Sequence, residues 1–209
     1  GYEAIYIAVG APDSVKLGVD GEDAEGVVDA MQFLRQYNIR GSVPVGEEVV
    51  VVGGGNAAID ASRSALRLGA KSVSIIYRRS QNEMPAYAEE IEEALLEGVK
   101  ILPLTHPIEI KKDSKGKVTS LKCVRMKLGE YDHTGRRRPT ASDDDLVEIK
   151  ADQVIIAVGQ RLEPAKLVSE SNVTVSGRKT LEADPVSGQT SDDSVFAGGD
   201  AVTEIGRAS

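Results

Sequence analysis

The stretch EEVVVVGGGNAAIDASRSALRLGAKSVSIIYRRS, residues 47–80, decides how the rest of the chain is read. Val49, Val50, Val51 and Val52 form an unbroken β-branched run, the composition of a parallel strand covered on both faces. Three glycines follow. Ala58, Ile59, Ser62, Ala65, Leu66 and Leu68 then recur as one stripe, which predicts a helix over 56–68 stopped by Gly69. Residues 72–77 read as a second strand. Gly53, Gly55 and Ala58 spell G-x-G-x-x-A between the first strand and the helix, the context in which this spacing has meaning. Gly53 permits the tight turn, Gly55 lets a pyrophosphate approach the backbone, and Ala58 lets the helix pack closely on the strand. With Gly54 between them, the turn aims the free N–H groups of Asn56 and Ala57 and the positive helix end at a diphosphate. The same pattern also suits a plain strand-to-helix turn in an α/β domain that binds nothing.

The end of the second strand selects the dinucleotide. An NAD site places Asp or Glu there to accept from the ribose 2′-hydroxyl. This chain has Tyr77-Arg78-Arg79-Ser80, with Arg78 23 residues after Gly55. Guanidiniums attract a 2′-phosphate and bind it bidentately. Arg78 and Arg79, with Ser80 beside them, are therefore candidate contacts to NADP(H). The alternative is that one Arg, Arg79 above all, merely pairs with Glu83 or another acid.

Outward from this core the pattern alternates between helix and strand. Residues 4–9 read as a buried strand and 24–37 as a helix. MPAYAEEIEEALLEG reads as a helix with Pro85 in its first turn, Gly98 at its end, and Ile91, Leu95 and Leu96 facing inward. VKILPL is a third strand. From 106 to 150 the period changes to two, which predicts a small antiparallel meander. DQVIIAVG then returns to a fully apolar strand. The class expected is α/β: a Rossmann-like parallel sheet with helices on both faces plus the meander.

Composition excludes several functions. The 209 residues are 41% hydrophobic and 28% charged, ordinary for a globular protein. A net charge of −8 disfavours nucleic acid as a partner. Arg136-Arg137-Arg138 precedes Asp143-Asp144-Asp145 closely and reads as a solvated loop of mixed charge. No apolar run is long enough to span a bilayer and no secretory leader opens the chain, so no membrane and a cytoplasmic setting are expected. Cys123 is the only cysteine and sits in a strand-like run, so a buried inert thiol is expected. His106 and His133 have no ligand spacing with it, and no metal site is expected. No Ser/His/Asp or Cys/His constellation stands out, and no catalytic side chain is assigned.

Four segments together resemble the two-dinucleotide flavoprotein reductases, in particular the small (beta) subunit of NADPH-dependent glutamate synthase. They are GGGNAAIDASRSALRLGAKSV, IIYRRSQNEMPAYAEEIEEALLEGV, VIIAVGQRLEP and VFAGGDAV. The resemblance implies two Rossmann-type domains, the NADPH domain inserted into the FAD domain. It implies residues 1–45 as a partial FAD-domain segment and linker, 46–162 as the NAD(P)H domain, and 163–209 as a second partial FAD-domain segment. The tetrapeptide IAVG occurs at residues 7–10 and again at 156–159, and each copy stands where this family ends a strand beside its nucleotide. Gly10 would then lie by FAD, and Ala157, Val158, Gly159 and Gln160 by NADPH. Val9 and Val158 stand where the signature often has Thr. AGGDAV is similar to the late FAD signature, which would make Asp200 a flavin contact with Gly199 and Ala201 offering close backbone.

The family's own FAD-domain glycine fingerprint and its cysteine-rich iron–sulfur region are missing, so the chain looks like an NADPH module with flanking FAD-domain pieces. The resemblance implies hydride transfer from NADPH to FAD and onward passage of electrons to a large catalytic or electron-accepting subunit. Two alternatives stand: a non-catalytic NADP-binding module, and a related reductase with ferredoxin or a pyrimidine as acceptor. A thioredoxin-reductase role would need a dithiol that one cysteine cannot supply.

Overall fold

A computed structural model describes residues 1–131, 135–169, 171–177 and 179–203, without the side chains of 143, 144, 165 and 166. His133 and residues 204–209 lie outside the described residues. The chain divides into two units, one of residues 1–15 with 159–209 and one of residues 16–158. Residues 16–45, grouped with the first segment in the sequence reading, thus pack within the unit that holds the glycine turn.

The first unit opens with β1 (Ile5–Ile7) and β2 (Asp13–Ser14). The chain then enters the larger unit. A short strand β3 (Val27–Asp29) leads directly into α1 (Ala30–Arg40). The expected helix thus starts later than 24, because Asp29 Oδ1 accepts from Gln32 N (2.9 Å) and caps it there. Gly41, in the left-handed conformation, closes it. Next come β4 (Glu48–Val52), α2 (Asn56–Arg67) and β5 (Ser72–Ile76). After a single 3-10 turn, α3 (Ala88–Glu97) leads to β6 (Lys100–Leu102). The meander is β7 (Thr105–Lys112), β8 (Val118–Tyr131) and β9 (Arg137–Lys150). β10 (Gln153–Ile156) ends the unit.

The parallel sheet has the order β3-β10-β4-β5-β6. Counted from β4, its first four crossover strands follow the doubly wound order, with the chain turning back between β4 and β10. Asp152 fixes the start of that pair: its carboxylate accepts from Glu47 N (3.0 Å) and Glu48 N (2.9 Å), while Gln153 Oε1 accepts from Gly46 N (2.8 Å).

Alternation along the strands builds two cores. Val49, Val51, Val73, Ile75 and Ile155 face Phe33 of α1, Ile59 and Ala65 of α2, and Ile91 and Ala94 of α3. Val50, Val52, Ile76, Val154 and Ile156 face Ile110, Val118, Leu121 and Cys123 of the meander. The expected α/β class holds, but its layers differ from the expectation of helices on both faces. α1, α2 and α3 share one face, and the antiparallel sheet covers the other. The meander's inward residues are apolar enough to serve as the second layer, which leaves no place there for a helix.

Three local expectations change. Pro85 does not open α3, since the helix begins at Ala88 with the extended Tyr87 as its cap. The N–H groups just before it are already used: Ala86 N donates to Gly54 O (3.2 Å) and Tyr87 N to Asn56 Oδ1 (3.0 Å). Ile91 is buried as expected, but its partner is Ala94; Leu95 and Leu96 turn outward, Leu96 being 81% exposed. The late start and the Gly98 stop set that face. Finally, the Arg-to-Asp run expected as a loop belongs to strand β9 from residue 137 onward, so Arg137 and Arg138 are part of β9.

The chain returns to the first unit with β11 (Gln160–Arg161), α4 (Ala165–Val168) and β12 (Val195–Ala197). β1 pairs in parallel with β12, and β2 antiparallel with β11. Leu162, Val168, Val173, Leu181, Val195 and Ala197 form its core. Among the described residues no helix is long and apolar enough to cross a membrane.

Candidate functional site

β4, β5 and β10 run parallel, so the segments after their carboxyl ends emerge at one edge. Those segments are Gly53–Gly55, Tyr77–Ser80 and Ala157–Val158. Open α/β sheets bind ligands at this edge, beside the strands where the winding reverses. Here those strands are β4 and β10.

Each glycine of the turn has a different reason to be glycine. Gly53 has φ +148°, and a Cβ on it would overlap the Ala157 carbonyl oxygen. Gly53 N donates to Ile76 O (3.1 Å) and Ala157 N to Val52 O (2.8 Å), so the turn is bound to both neighbouring strand ends. At Gly54 a Cβ would stand 2.6 Å from Cδ2 of the Tyr77 ring. Gly55 is different. Its φ of −89° suits any residue, and a Cβ there would meet only Pro85 Cγ at 3.9 Å. Neither backbone conformation nor protein packing requires a glycine at 55. The space its Cβ would enter is the approach to the N-terminus of α2, where Asn56 is exposed and Ala57 partly so. Ala58 is fully buried under the helix. Asn56 spends its side-chain oxygen on Tyr87 N, so its backbone rather than its amide faces the turn.

The structure separates the two arginines. Arg78 is exposed, while Arg79 is 7% exposed and donates from Nε to Arg137 O (2.9 Å). Glu83 also takes part: its carboxylate accepts from Ser80 Oγ (2.6 Å) and Ser80 N (3.2 Å). The Ser80 hydrogen bond, with the Arg79 charge a lesser contributor, holds Glu83 below the usual carboxylate range. Arg79 and Ser80 are thus committed within the protein, and Arg78 is the guanidinium presented at the edge. His106 stands near it. Burial first, and then the Arg78 charge, lower the His106 imidazole below its ordinary value.

The remaining expected residues fall on both units. Ala157 sits beside Gly53 and Val158 ends the larger unit. Gly159 accepts from Val15 N (3.0 Å), and Gln160 lies in β11 opposite Ser14. In the first unit the pairing of β1 with β12 sets Ile7 against Ala197, so Gly10 and the Gly199-Asp200-Ala201 turn leave the same sheet edge. Gly10 and Gly199 both have φ +66°, and a Cβ on either would meet nothing within 4 Å.

Sequence reasoning missed Tyr77, which packs on Gly54 and donates from Oη to Glu83 O (3.0 Å). It also missed Arg136, whose Nη2 donates to Tyr77 Oη (3.2 Å) and Glu83 O (3.1 Å). The basic run was visible, but its contacts lie more than fifty residues back along the chain and carry no local signal.

A parallel sheet of this order with its glycine turn at the reversal is the Rossmann type of nucleotide-dependent oxidoreductase. The family model described as pyridine nucleotide-disulphide oxidoreductase matches residues 1–209, and the chain belongs to that family. It is 44% identical over 204 residues to the NADP(+)-dependent formate dehydrogenase subunit beta of Moorella thermoacetica, covering 96% of this chain and 28% of that protein. It is 35% identical over 215 residues to the glutamate synthase [NADPH] small chain of Escherichia coli K12, covering 96% of this chain and 46% of that one. The chain therefore spans less than half the length of these relatives. Among solved structures it superposes on Mycobacterium tuberculosis FprA in complex with NADPH with a TM-score of 0.76, at 22% identity, covering 96% of this chain and 58% of that one. That likeness is one of fold.

Proposed function

We propose that this chain is the NADPH-binding module of a flavin-dependent oxidoreductase of the glutamate synthase small-chain type. One observation carries the reading: Gly55 is a glycine that neither its φ nor its protein neighbours require, set at the N-terminus of α2 beside the sheet reversal. A diphosphate accounts for it, because only without a side chain can phosphate oxygens reach the helix N–H groups.

Arg78 supports NADP(H) over NAD(H). It stands exposed just beyond the end of β5, where an NAD site would carry a carboxylate. Its planar guanidinium donates two parallel N–H bonds to a 2′-phosphate, while Arg79 and the Ser80–Glu83 box brace the loop that presents it. The relatives named for NADP(+) or NADPH favour the same choice.

In the first unit, Gly10 and Gly199–Ala201 offer open backbone at one edge, and Asp200 supplies a carboxylate suited to a ribityl hydroxyl. This fits part of an FAD site. A flavin held there would accept hydride from the reduced nicotinamide and release electrons singly or in pairs. The chain's own contribution is to bind and orient. The terminal acceptor is assigned to the partner subunit of the whole protein, since relatives sharing this module are named for formate, for Fe(3+) and for glutamate synthase.

Calorimetric titration with NADP⁺ and NAD⁺ at low salt tests the reading. A preference for NADP⁺ of about tenfold or more, corresponding to about 1.4 kcal/mol, is expected. Equal affinity would sink the Arg78 assignment, and binding of neither would sink the module reading. Absorbance near the flavin bands of the purified protein reports whether FAD is retained.

A further inference from the structure

β8 outruns β7. Thr105, the first residue of β7, pairs with Arg125, and Met126 N donates to Leu104 O (2.8 Å). Beyond that point Lys127, Leu128 and Tyr131 pair only with Thr140, Pro139 and Arg137 of β9. Because β7 starts just after the carboxyl end of β6, this two-stranded arm projects past the sheet edge from which Gly53, Arg78 and Ala157 emerge.

The arm is fastened there. Arg79 Nε donates to Arg137 O (2.9 Å), and the Arg137 guanidinium donates to Leu128 O (2.9 Å) and Gly129 O (3.1 Å). Arg136 reaches across to Tyr77 Oη and Glu83 O. Between the arm and the turn after β5 lies a cleft of about 450 Å³, with Ser80, Asn82 and Glu83 on one wall and Leu128, Tyr131 and Arg136 on the other. That volume falls within the roughly 300–1,000 Å³ of small-ligand pockets. Tyr77 links its wall to the glycine turn, its ring packed on Gly54 and its hydroxyl donating to the carbonyl oxygen of Glu83, which lines the cleft.

We propose that the arm forms the adenosine wall of the dinucleotide site. The adenine ring lies in this cleft and stacks on Tyr131, the Asn82 amide meets its polar edge, and Arg136 adds positive field beside Arg78. The proposal rests on the dinucleotide reading above. It explains why Tyr131, an aromatic residue lining the cleft, is 74% exposed. It also explains why two arginines are spent on fastening a hairpin to this edge.

The test is titration of the 209-residue chain with 2′,5′-ADP, which carries the adenosine and 2′-phosphate without the nicotinamide. Tyr131→Ala should weaken binding about tenfold, as loss of a base–aromatic stack does, with no change in the thermal midpoint. Tyr131→Phe should restore wild-type affinity. Tyr131→Leu, which keeps apolar bulk without a π face, should not. If Tyr131→Ala binds like wild type while Arg78→Ala loses affinity, the arm is not the adenosine wall and the dinucleotide reading stands. If Leu restores binding as well as Phe, the effect is bulk packing and the stacking proposal is overturned. Failure of the wild-type chain to bind either 2′,5′-ADP or NADP⁺ overturns both.

Discussion

The Tyr77 ring occupies the space that a side chain at Gly54 would need, with Cδ2 2.6 Å from where its Cβ would be. The neighbouring Gly55 has no such obstruction. The two glycines should therefore fail in opposite ways. Gly54→Ala forces the ring off Gly54 and should cost about 1–3 kcal/mol of stability, as overpacking does. Gly55→Ala should cost less than about 1 kcal/mol, mostly through the weaker helix cap. It should nevertheless weaken NADP⁺ binding tenfold or more. Urea unfolding and calorimetry on the same two variants separate these outcomes. A Gly55→Ala protein that binds normally would remove the ground for a diphosphate at this turn.

The arginine pair should also divide. Arg78→Ala removes an exposed group and should leave the urea midpoint unchanged while abolishing the preference for NADP⁺ over NAD⁺. Arg79→Ala strips a buried hydrogen bond from Arg137 O and should lower stability by about 1–3 kcal/mol. Loss of cofactor preference in the second variant alone would reverse the assignment.

Cys123 offers a probe of the core. Burial pushes its thiol from an ordinary value of 9.0 up to about 12. The thiol form predominates at neutral pH and the side chain is wholly buried, so alkylation of the native protein at pH 8 should be far slower than in urea. The folded state holds this proton more tightly than the unfolded chain. Its contribution to stability is therefore complete below about pH 9 and is lost as pH rises toward 12. Fast labelling without denaturant would contradict the packing of the meander on the parallel sheet.

Arg63 joins α2 to α3 through Glu90 (2.6 Å), Glu93 (2.7 Å) and Glu97 (2.7 Å), with its own side chain only 15% exposed. Arg63→Ala should cost about 1 kcal/mol, and the exposed Arg67→Ala much less. The Arg63 hydrogen bond holds Glu97 below its ordinary value. That share of stability is present above the ordinary carboxylate range and disappears as pH falls through the lowered value. A midpoint that does not differ between wild type and Arg63→Ala from pH 7 down to pH 3 would show the cluster to be ornamental.

The parts legible in the sequence were those written in one window. Strand, glycine turn, helix and second strand sit within thirty-odd residues, and each is encoded by local periodicity. The glycine spacing assigned Gly53 to the tight turn, and the space its missing Cβ would take is indeed filled by the Ala157 carbonyl; at Gly55 it expected a ligand, and the protein itself leaves that space open. What sequence could not give were the pairings made across long separations. The meander's alternation was plain, but nothing local says that its apolar face replaces a layer of helices. The Met84–Tyr87 strap looked like the first turn of a helix because its composition suits one; the Gly54 carbonyl and the Asn56 side chain, thirty residues earlier, claim the N–H groups of Ala86 and Tyr87. Arg136 looked like a member of a solvated charge run for the same reason.

The placement of β10 has a consequence for how the larger unit comes to exist. β10 is the last strand of the unit to be made, yet it lies between β3 and β4, and among the described residues β3 pairs with no other strand of the sheet. During synthesis β4, β5 and β6 can associate as soon as each emerges, but β3 and the helix behind it must wait, over more than a hundred residues, for Ile156. Closure of that long loop is the slow, entropically costly event in assembling such a sheet. The glycine turn should then acquire its final shape last, since the Ala157 that Gly53 packs against arrives with that same closing strand. In this unit the completion of folding and the completion of the candidate site are a single step.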